Sequence, residues 1–324
     1  MQPLRVGVLG CASIARRSVM PAMRAVEGLD LVAVASRSKQ KAESFASQFD
    51  VEPVVGYQAL LDRDDIDAVY VPLPVGLSSA WILKALESGK HVLAEKPLAC
   101  NYESAAAMVA MARRHELLLM ENFMFRYHPQ HRIALELLEG GRLGALRLFR
   151  SSFGFPPLPA GNFRYDPALG GGALLDAGGY TIKAAQLFLG ANLRVTSAVL
   201  HYDRDQGVDI HGSASLVSDA GVAAQVAFGF DNYYQCNYEI WGSTGNLVAE
   251  RAFTPPPAMK PPLRLETQGK IEDLTAPADD HFVGALREFR RAILERDIER
   301  HLGEALTQSR LLSEIRARAV EVGA

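Results

Sequence analysis

The chain has 324 residues, 48% of them apolar and 22% charged, with a formal net charge of −3. That length exceeds what one hydrophobic core organises, so two domains are expected, and the composition excludes a disordered chain. A charge so near neutral, with no basic run, gives no electrostatic case for a nucleic-acid or membrane partner, which leaves a small molecule as the expected one.

Strand and helix alternate through the first third. LRVGVLG (4–10) is a β-branched apolar run ending at Gly10, and IARRSVMPAMRAVEG repeats apolar residues at helical spacing up to Gly28. LDLVAVASR predicts a second strand, SKQKAESFASQF a serine-capped helix, IDAVYVPLP a third strand, and SSAWILKALESGK a helix closed by Gly89. HVLAEKPL and LLLMEN predict the fourth and fifth strands, joined by the helix NYESAAAMVAMARRHE with Asn101 as its cap. Five buried strands alternating with helices indicate an α/β, doubly wound parallel sheet, whose ligand lies beyond the carboxyl ends of the strands.

The texture changes near residue 123, which sets the expected domains at 1–123 and 124–324. A helix follows at about 129–139, then the strand LRLFRSSF, the loop PPLPAGNFRYDPALGGG, and short alternating segments to about 268 that read as antiparallel strands of one sheet. TPPPAMKPP (254–262) reads as an extended surface loop. Amphipathic helices from DHFVGALREF onward close the chain and are free to pack back on the first domain. The start MQPLRVGVLG has no cationic region followed by an apolar one, and apolar runs are strand-sized, so a cytoplasmic protein is expected.

Cys11, Cys100 and Cys236 form no CxxC pair and are expected reduced. His128 and His131 flank Pro129 without a nearby Cys or carboxylate to complete a tetrahedral set; they read as polar residues of a turn or helix start, and no metal is expected.

GCASIA (10–15) follows the first strand and opens the first helix. The dinucleotide fingerprint needs small residues where backbone meets pyrophosphate; here Ala12 and Ala15 stand for its second and third glycines. A bland strand-to-helix turn could look the same, but the position favours cofactor binding by Gly10, Ala12, Ser13 and Ile14. At the end of strand two, Ser36, Arg37 and Ser38 offer a cation and hydroxyls where an NAD enzyme usually has a carboxylate, which points to NADP over NAD. The bland alternative is a solvated arginine. Glu95, Lys96 and Pro97 end strand four at the ligand edge of the sheet.

Together GCASIA, SRS, VPLPVGLSSAWILKALESGKHVLAEKPL and the later DAGGY resemble the glucose-fructose oxidoreductase and inositol dehydrogenase superfamily over almost the whole chain. The resemblance implies an amino-terminal Rossmann domain, a carboxy-terminal α/β domain with an open, mainly antiparallel sheet, and hydride transfer between a nicotinamide cofactor and a sugar-like alcohol or ketone. It makes Lys96 the active-site lysine and the bond before Pro97 a candidate for the cis form. Pro72, Leu73, Leu77, Asn122 and Arg164 join the expected cofactor contacts. Family members often carry Asn-x-x-His after strand three, where this chain has Val75 and Ser78. They commonly place Asp and His four apart, where this chain has Asp176 and Tyr180.

Four residues apart on a helix, Asp176 and Tyr180 share a face. Reducing a ketone leaves an alkoxide that needs a proton, and a phenol aided by a cation such as Lys96 can supply it. The bland alternative makes Tyr180 a surface tyrosine and Asp176 a cap. MENFMFRYHPQH and FRYDPALGGGALLDAGGYTIKAAQLFLG look most like the sugar-nucleotide 3-ketoreductases, with aldose and dihydrodiol dehydrogenases of the same superfamily as alternatives. Arg126, Tyr127, His128 and Arg164 are available for a sugar or its phosphates, the arginines equally for bridging domains. From another class, a non-catalytic NADP-binding sensor remains open. The resemblance also implies a homodimer or homotetramer paired through the open sheet.

Overall fold

The computed structural model describes residues 2–323. They divide into two units: the chain up to Phe123 together with Phe282–Ser309, and Met124–His281 together with the residues from Arg310 on.

The first unit is built on six parallel strands: β1 Leu4–Leu9, β2 Leu29–Ser36, β3 Glu52–Val55, β4 Ala68–Val71, β5 His91–Ala94 and β6 Leu119–Glu121, in the order β3-β2-β1-β4-β5-β6. The order reverses between β1 and β4, which opens a crevice at their carboxyl ends, where Gly10 and the Pro72–Leu73 turn stand. Helices α1 Met20–Ala25, α2 Lys39–Phe49, α3 Tyr57–Leu61, α4 Val75–Glu87 and α5 Tyr102–Arg114 run between the strands. Their small faces pack on the sheet: Ala85, Ala105 and Ala112 share one core with Val69, Val92 and Leu119. Ser38 caps α2 by accepting the Lys41 amide, and Asn101 caps α5 by accepting the Ser104 amide at 2.9 Å. Both caps follow the sequence expectation.

Three local expectations are corrected. The sheet has six strands, not five, because β3 is a short edge strand whose residues are mostly exposed and include Pro53, a pattern without apolar periodicity. The first helix is not α-helical throughout: Ala15–Val19 winds as a π-turn before α1. Helix α4 starts at Val75, three residues before Ser78, directly after Pro74.

The second unit contains α6 Pro129–Glu139 and a nine-stranded sheet. Its strands are β7 Leu146–Gly154, β8 Leu193–Asp203, β9 Val208–Ser218, β10 Ala223–Gly229, β11 Gln235–Gly242, β12 Gly245–Ala249, β13 Pro262–Thr267, β14 Lys270–Thr275 and β15 Ala319–Val322. The order is β14-β13-β12-β11-β7-β10-β9-β8-β15; β7 with β10 and β8 with β15 pair in parallel, and the other neighbours are antiparallel. Helix α7 Gly179–Leu189 packs on this sheet, with Phe188 stacked on Phe149 and tilted against Tyr238.

Helices α8 His281–Leu294 and α9 Ile298–Arg318 follow. Leu302 and Ala305 of α9 enter the core of the first unit. The last turn expected as helix is instead β15, since Val320 and Val322 find an edge of β8 to pair with, a tertiary contact that helical periodicity could not foresee. Among the described residues, no helix is long and apolar enough to cross a membrane.

Candidate active site

In the first unit the turn after β1 is shaped by Gly10. Its φ of +128° is a conformation that L side chains rarely adopt, and a Cβ there would come within 2.9 Å of Leu73 Cδ2. Ala12 is half-buried and Ser13 exposed, while Ala15, where the π-turn starts, is buried. At the end of β2, Ser36 is buried and its Oγ accepts the Ser38 amide at 3.2 Å. Arg37 hydrogen-bonds the Tyr57 hydroxyl, whose ring packs edge-on against Trp81 at 5.0 Å. Burial raises the Tyr57 pKa, and Arg37 works against that rise. Cys11 adjoins the same corner: its thiol donates to the Lys41 carbonyl at 3.6 Å, and burial raises its pKa against Ser36 and Lys41. This corner carries cations and hydroxyls and no carboxylate among Ser36, Arg37 and Ser38.

Beyond β4 and β5 the bond between Lys96 and Pro97 is cis. Glu95, an expected cofactor contact, accepts at Oε1 from the Tyr70 hydroxyl at 2.7 Å and from Asn122 Nδ2 at 2.8 Å. It braces Asn122. That amide is 1% exposed, and its Oδ1 has no hydrogen-bond partner among the described residues, so a buried acceptor is left for a donor from outside. Leu77 is 43% exposed near the start of α4. Val75 and Ser78 are buried, and Ser78 Oγ donates to the Val75 carbonyl at 3.1 Å, so neither stands in for the missing polar pair.

In the second unit the glycines at 170–172 fold the loop back on itself. Gly170 has φ +77°, the Gly172 amide donates to the Arg164 carbonyl at 2.9 Å, and a Cβ on Gly171 would sit 2.5 Å from that carbonyl oxygen. The return brings Arg164 to Asp176: Arg164 Nε donates to Asp176 Oδ2 at 2.7 Å. Burial works against the Arg164 charge, but Asp176 and the neighbouring Tyr180 and Tyr165 outweigh it and hold the pKa above its ordinary value. Asp176 lies in a π-turn, Leu174–Gly178, and α7 begins only at Gly179, which corrects the expected α-helical spacing of Asp176 and Tyr180 to that of a wider turn.

Tyr180 is 6% exposed, which excludes the surface alternative. Phe125, Phe153 and Phe253 surround its ring at 5.8, 5.1 and 5.6 Å, and its hydroxyl donates to Met124 Sδ at 3.7 Å. The rings fix the phenol plane and keep water from its faces. The close approach at Gly178 is made by the protein itself: a Cβ there would meet the Phe228 ring at 3.0 Å.

His128 is buried and caps α6, its Nδ1 accepting the Gln130 amide at 3.3 Å. His131 is a core residue between the Tyr238 hydroxyl at 3.2 Å and the Ala252 carbonyl at 3.0 Å; burial pushes its pKa down to about 3 and keeps it neutral. Arg126 lies over the Tyr127 ring at 5.9 Å. Glu288, Asp297 and His301 in the first unit come within metal-ligand reach of one another, but Arg291 Nη2 takes Asp297 at 2.6 Å and Arg291 Nε takes Glu288 at 2.8 Å.

The family model described as "Oxidoreductase family, NAD-binding Rossmann fold" matches residues 4–123, and the "GFO/IDH/MocA C-terminal domain" matches residues 131–248. The chain belongs to this oxidoreductase family.

Among its relatives, the dTDP-3,4-didehydro-2,6-dideoxy-α-D-glucose 3-reductase of Actinomadura kijaniata is 47% identical over 99% of this chain and 97% of that enzyme. The enzyme of the same description from Saccharopolyspora spinosa is 49% identical over 90% and 88%. The crystal structure of the Actinomadura 3-ketoreductase with NADP and TDP-benzene superposes with a TM-score of 0.96 at 46% identity, covering 99% of both chains. Variants of that enzyme with a tyrosine changed to phenylalanine or a lysine changed to alanine keep the likeness, with TM-scores of 0.95 and 0.92.

Within this GFO/IDH/MocA fold, sequence reasoning named Lys96, Asn122, Arg164, Asp176 and Tyr180 but not what holds them. Tyr70, which donates to Glu95, Met124, which accepts from the Tyr180 hydroxyl, and Phe228, which closes on Gly178, were missed. Tyr70 and Phe228 lie on strands and read as strand residues, so nothing local marked them.

Proposed function

We propose that the protein is an NADPH-dependent ketoreductase that reduces C-3 of a dTDP-linked keto-deoxysugar, with Tyr180 as proton donor and Lys96 as the assisting cation. The near full-length identity to enzymes described as dTDP-3,4-didehydro-2,6-dideoxy-α-D-glucose 3-reductases carries the substrate class. The roles of Lys96 and Tyr180 draw support from the Actinomadura variants: the lysine and tyrosine replaced there are separated by the same number of residues as these two.

The residues fit the cofactor. Gly10 and Ala12 leave backbone room for a pyrophosphate beside Ser13 and Ile14, and the unpartnered Oδ1 of Asn122 suits a carboxamide donor. Arg37, with Ser36 and Ser38, suits a 2′-phosphate that a carboxylate would repel. Pro72, Leu73, Leu77 and Pro97 complete the apolar surround. When bound, NADPH supplies the hydride that becomes the C-3 hydrogen of the product. Tyr180 gives its hydroxyl proton to the carbonyl oxygen as that carbon is reduced, and regains one from solvent afterwards. Lys96 lends positive charge to the same oxygen and to the phenolate left behind. Asp176 holds Arg164 and orients a substrate hydroxyl, while Arg126, Tyr127 and His128 serve the sugar nucleotide; an arginine fork suits a diphosphate.

The test is NADPH absorbance at 340 nm with a dTDP-3-keto-6-deoxysugar, simple aldoses with NADP, and diketones. Oxidation of NADPH with the keto-sugar nucleotide is expected; activity confined to aldoses makes the protein an aldose dehydrogenase, and silence with every ketone makes it a sensor. The protein is further proposed to act in the cytoplasm as a dimer or tetramer, with Trp241 and Ile271, both exposed on the second sheet, as surface to be covered. Sedimentation as a monomer at working concentration contradicts that assembly.

A further inference from the structure

The π-turn that carries Asp176 is held from another strand by one buried carboxylate. Asp209 stands near the start of β9 and is 2% exposed. Its Oδ2 accepts the Leu174 amide at 2.6 Å, and the Ala173 amide also bonds the carboxylate. Amides at the first turn of a helix have no intrahelical acceptor, so a carboxylate that takes two of them sets where the helix starts and how it is rotated. The preceding residue is shaped to the same group: Gly172 has φ +116°, and a Cβ there would run into Asp209 Oδ1.

Burying this charge is costly. Burial raises the Asp209 pKa, and the Leu174 amide, the Arg316 charge and the amides of Asp209 and Ala173 offset only part of that rise. A neutral side chain would spare the fold that cost. The carboxylate instead receives the start of the segment on which both Asp176 and Tyr180 stand, and the Gly172 amide beside it ties that start to the Arg164 carbonyl.

We propose that Asp209 is a positioning residue for the ketoreductase reaction, fixing the helix start so that Asp176 and Tyr180 keep their working orientation. This rests on the reading of Tyr180 as proton donor. Asp209 bonds backbone and acts through it; a shift of about 1 Å in a reacting group can cost on the order of 100-fold in rate.

The experiment is a double-mutant cycle of Asp209→Asn and Tyr180→Phe, with kcat and the KM for NADPH measured for each protein. Asn keeps the size and one acceptor but turns an NH2 toward an amide. Asp209→Asn is expected to lower kcat tenfold or more, to leave the KM for NADPH within twofold, and to change kcat less than threefold once Tyr180 is already Phe. A kcat within twofold of the unsubstituted enzyme overturns the proposal, and so does a loss that simply multiplies with that of Tyr180→Phe, the mark of a general structural role. Should Asp209→Asn not fold, Asp209→Glu, which keeps the charge and displaces it by one methylene, is judged by the same criteria. Undiminished turnover in Tyr180→Phe alone overturns the donor reading, and with it this proposal, whatever Asp209→Asn does. A slow Tyr180→Phe beside a normal Asp209→Asn overturns the Asp209 role alone.

Discussion

GCASIA at 10–15 and GGGALLDAGGY at 170–180 are both glycine-led, and both pass into a π-turn, Ala15–Val19 and Leu174–Gly178, before an α-helix begins. Their small residues serve opposite ends. At Gly10 the nearest atom is the flexible tip of Leu73, which can give way, and in the proposed function the small residues there leave room for a pyrophosphate. At Gly171, Gly172 and Gly178 the neighbours are the Arg164 carbonyl, the Asp209 carboxylate and the Phe228 ring, so smallness lets the protein approach itself. Glycine content alone does not separate a cradle for a ligand from a close-packed mount for side chains; the atom that a Cβ would meet does.

Breaking the mount at its working end has the largest expected effect. Tyr180→Phe keeps the aromatic packing and removes the hydroxyl, so kcat should fall by about 100-fold or more while NADPH affinity, read by fluorescence titration, stays within twofold. Exchanging the glycines tests the contrast itself. Gly172→Ala forces a side chain into a positive φ against a buried carboxylate and should lower stability by about 2 kcal/mol, read as a lower urea midpoint, with NADPH affinity unchanged. Gly10→Ala should weaken NADPH binding tenfold or more, about 1.4 kcal/mol, and equal losses of NADPH affinity in the two variants would erase the distinction.

Acid should strike the self-packed side. His131 touches Phe125, one of the rings around Tyr180, and its folded pKa of about 3 lies below the ordinary 6.5. The unfolded chain therefore binds a proton that the folded one refuses: stability is full above about pH 6.5 and declines by roughly 1.4 kcal/mol per pH unit from this group as pH falls toward 3. Urea midpoints at pH 7, 6 and 5 measure it, and replacing His131 with Gln should flatten the slope. The smallest effect belongs to the open side. Arg37→Ala should raise the KM for NADPH about tenfold, near 1.4 kcal/mol, and narrow its preference over NADH; an enzyme that prefers NADH tenfold before any substitution contradicts the NADP assignment.

Much of the architecture was legible because parallel strands buried on both faces stand out as apolar runs, and because Ser38 and Asn101 mark their helices locally. What escaped was decided at a distance. Edge strand β3 is exposed and contains Pro53, and β15 exists only because β8 offers it an edge. In the candidate site the sequence identified Arg164 and Asp176 separately, but their ion pair depends on a loop folding back through three glycines, and the Asp209 cap arrives from a strand 35 residues away. Glu95 ends a strand at the sheet's ligand edge, which the sequence marks; its bonds from Tyr70 and Asn122 come from neighbouring strands, which the sequence does not.

The most direct test of the central claim is to follow a deuteride. With NADPH labelled at the transferable C-4 position and a dTDP-linked 3-keto-6-deoxysugar, one NADPH should be consumed per product formed and a single deuteron should appear on C-3, read by NMR. Consumption without label at C-3, or label at another carbon, would contradict it.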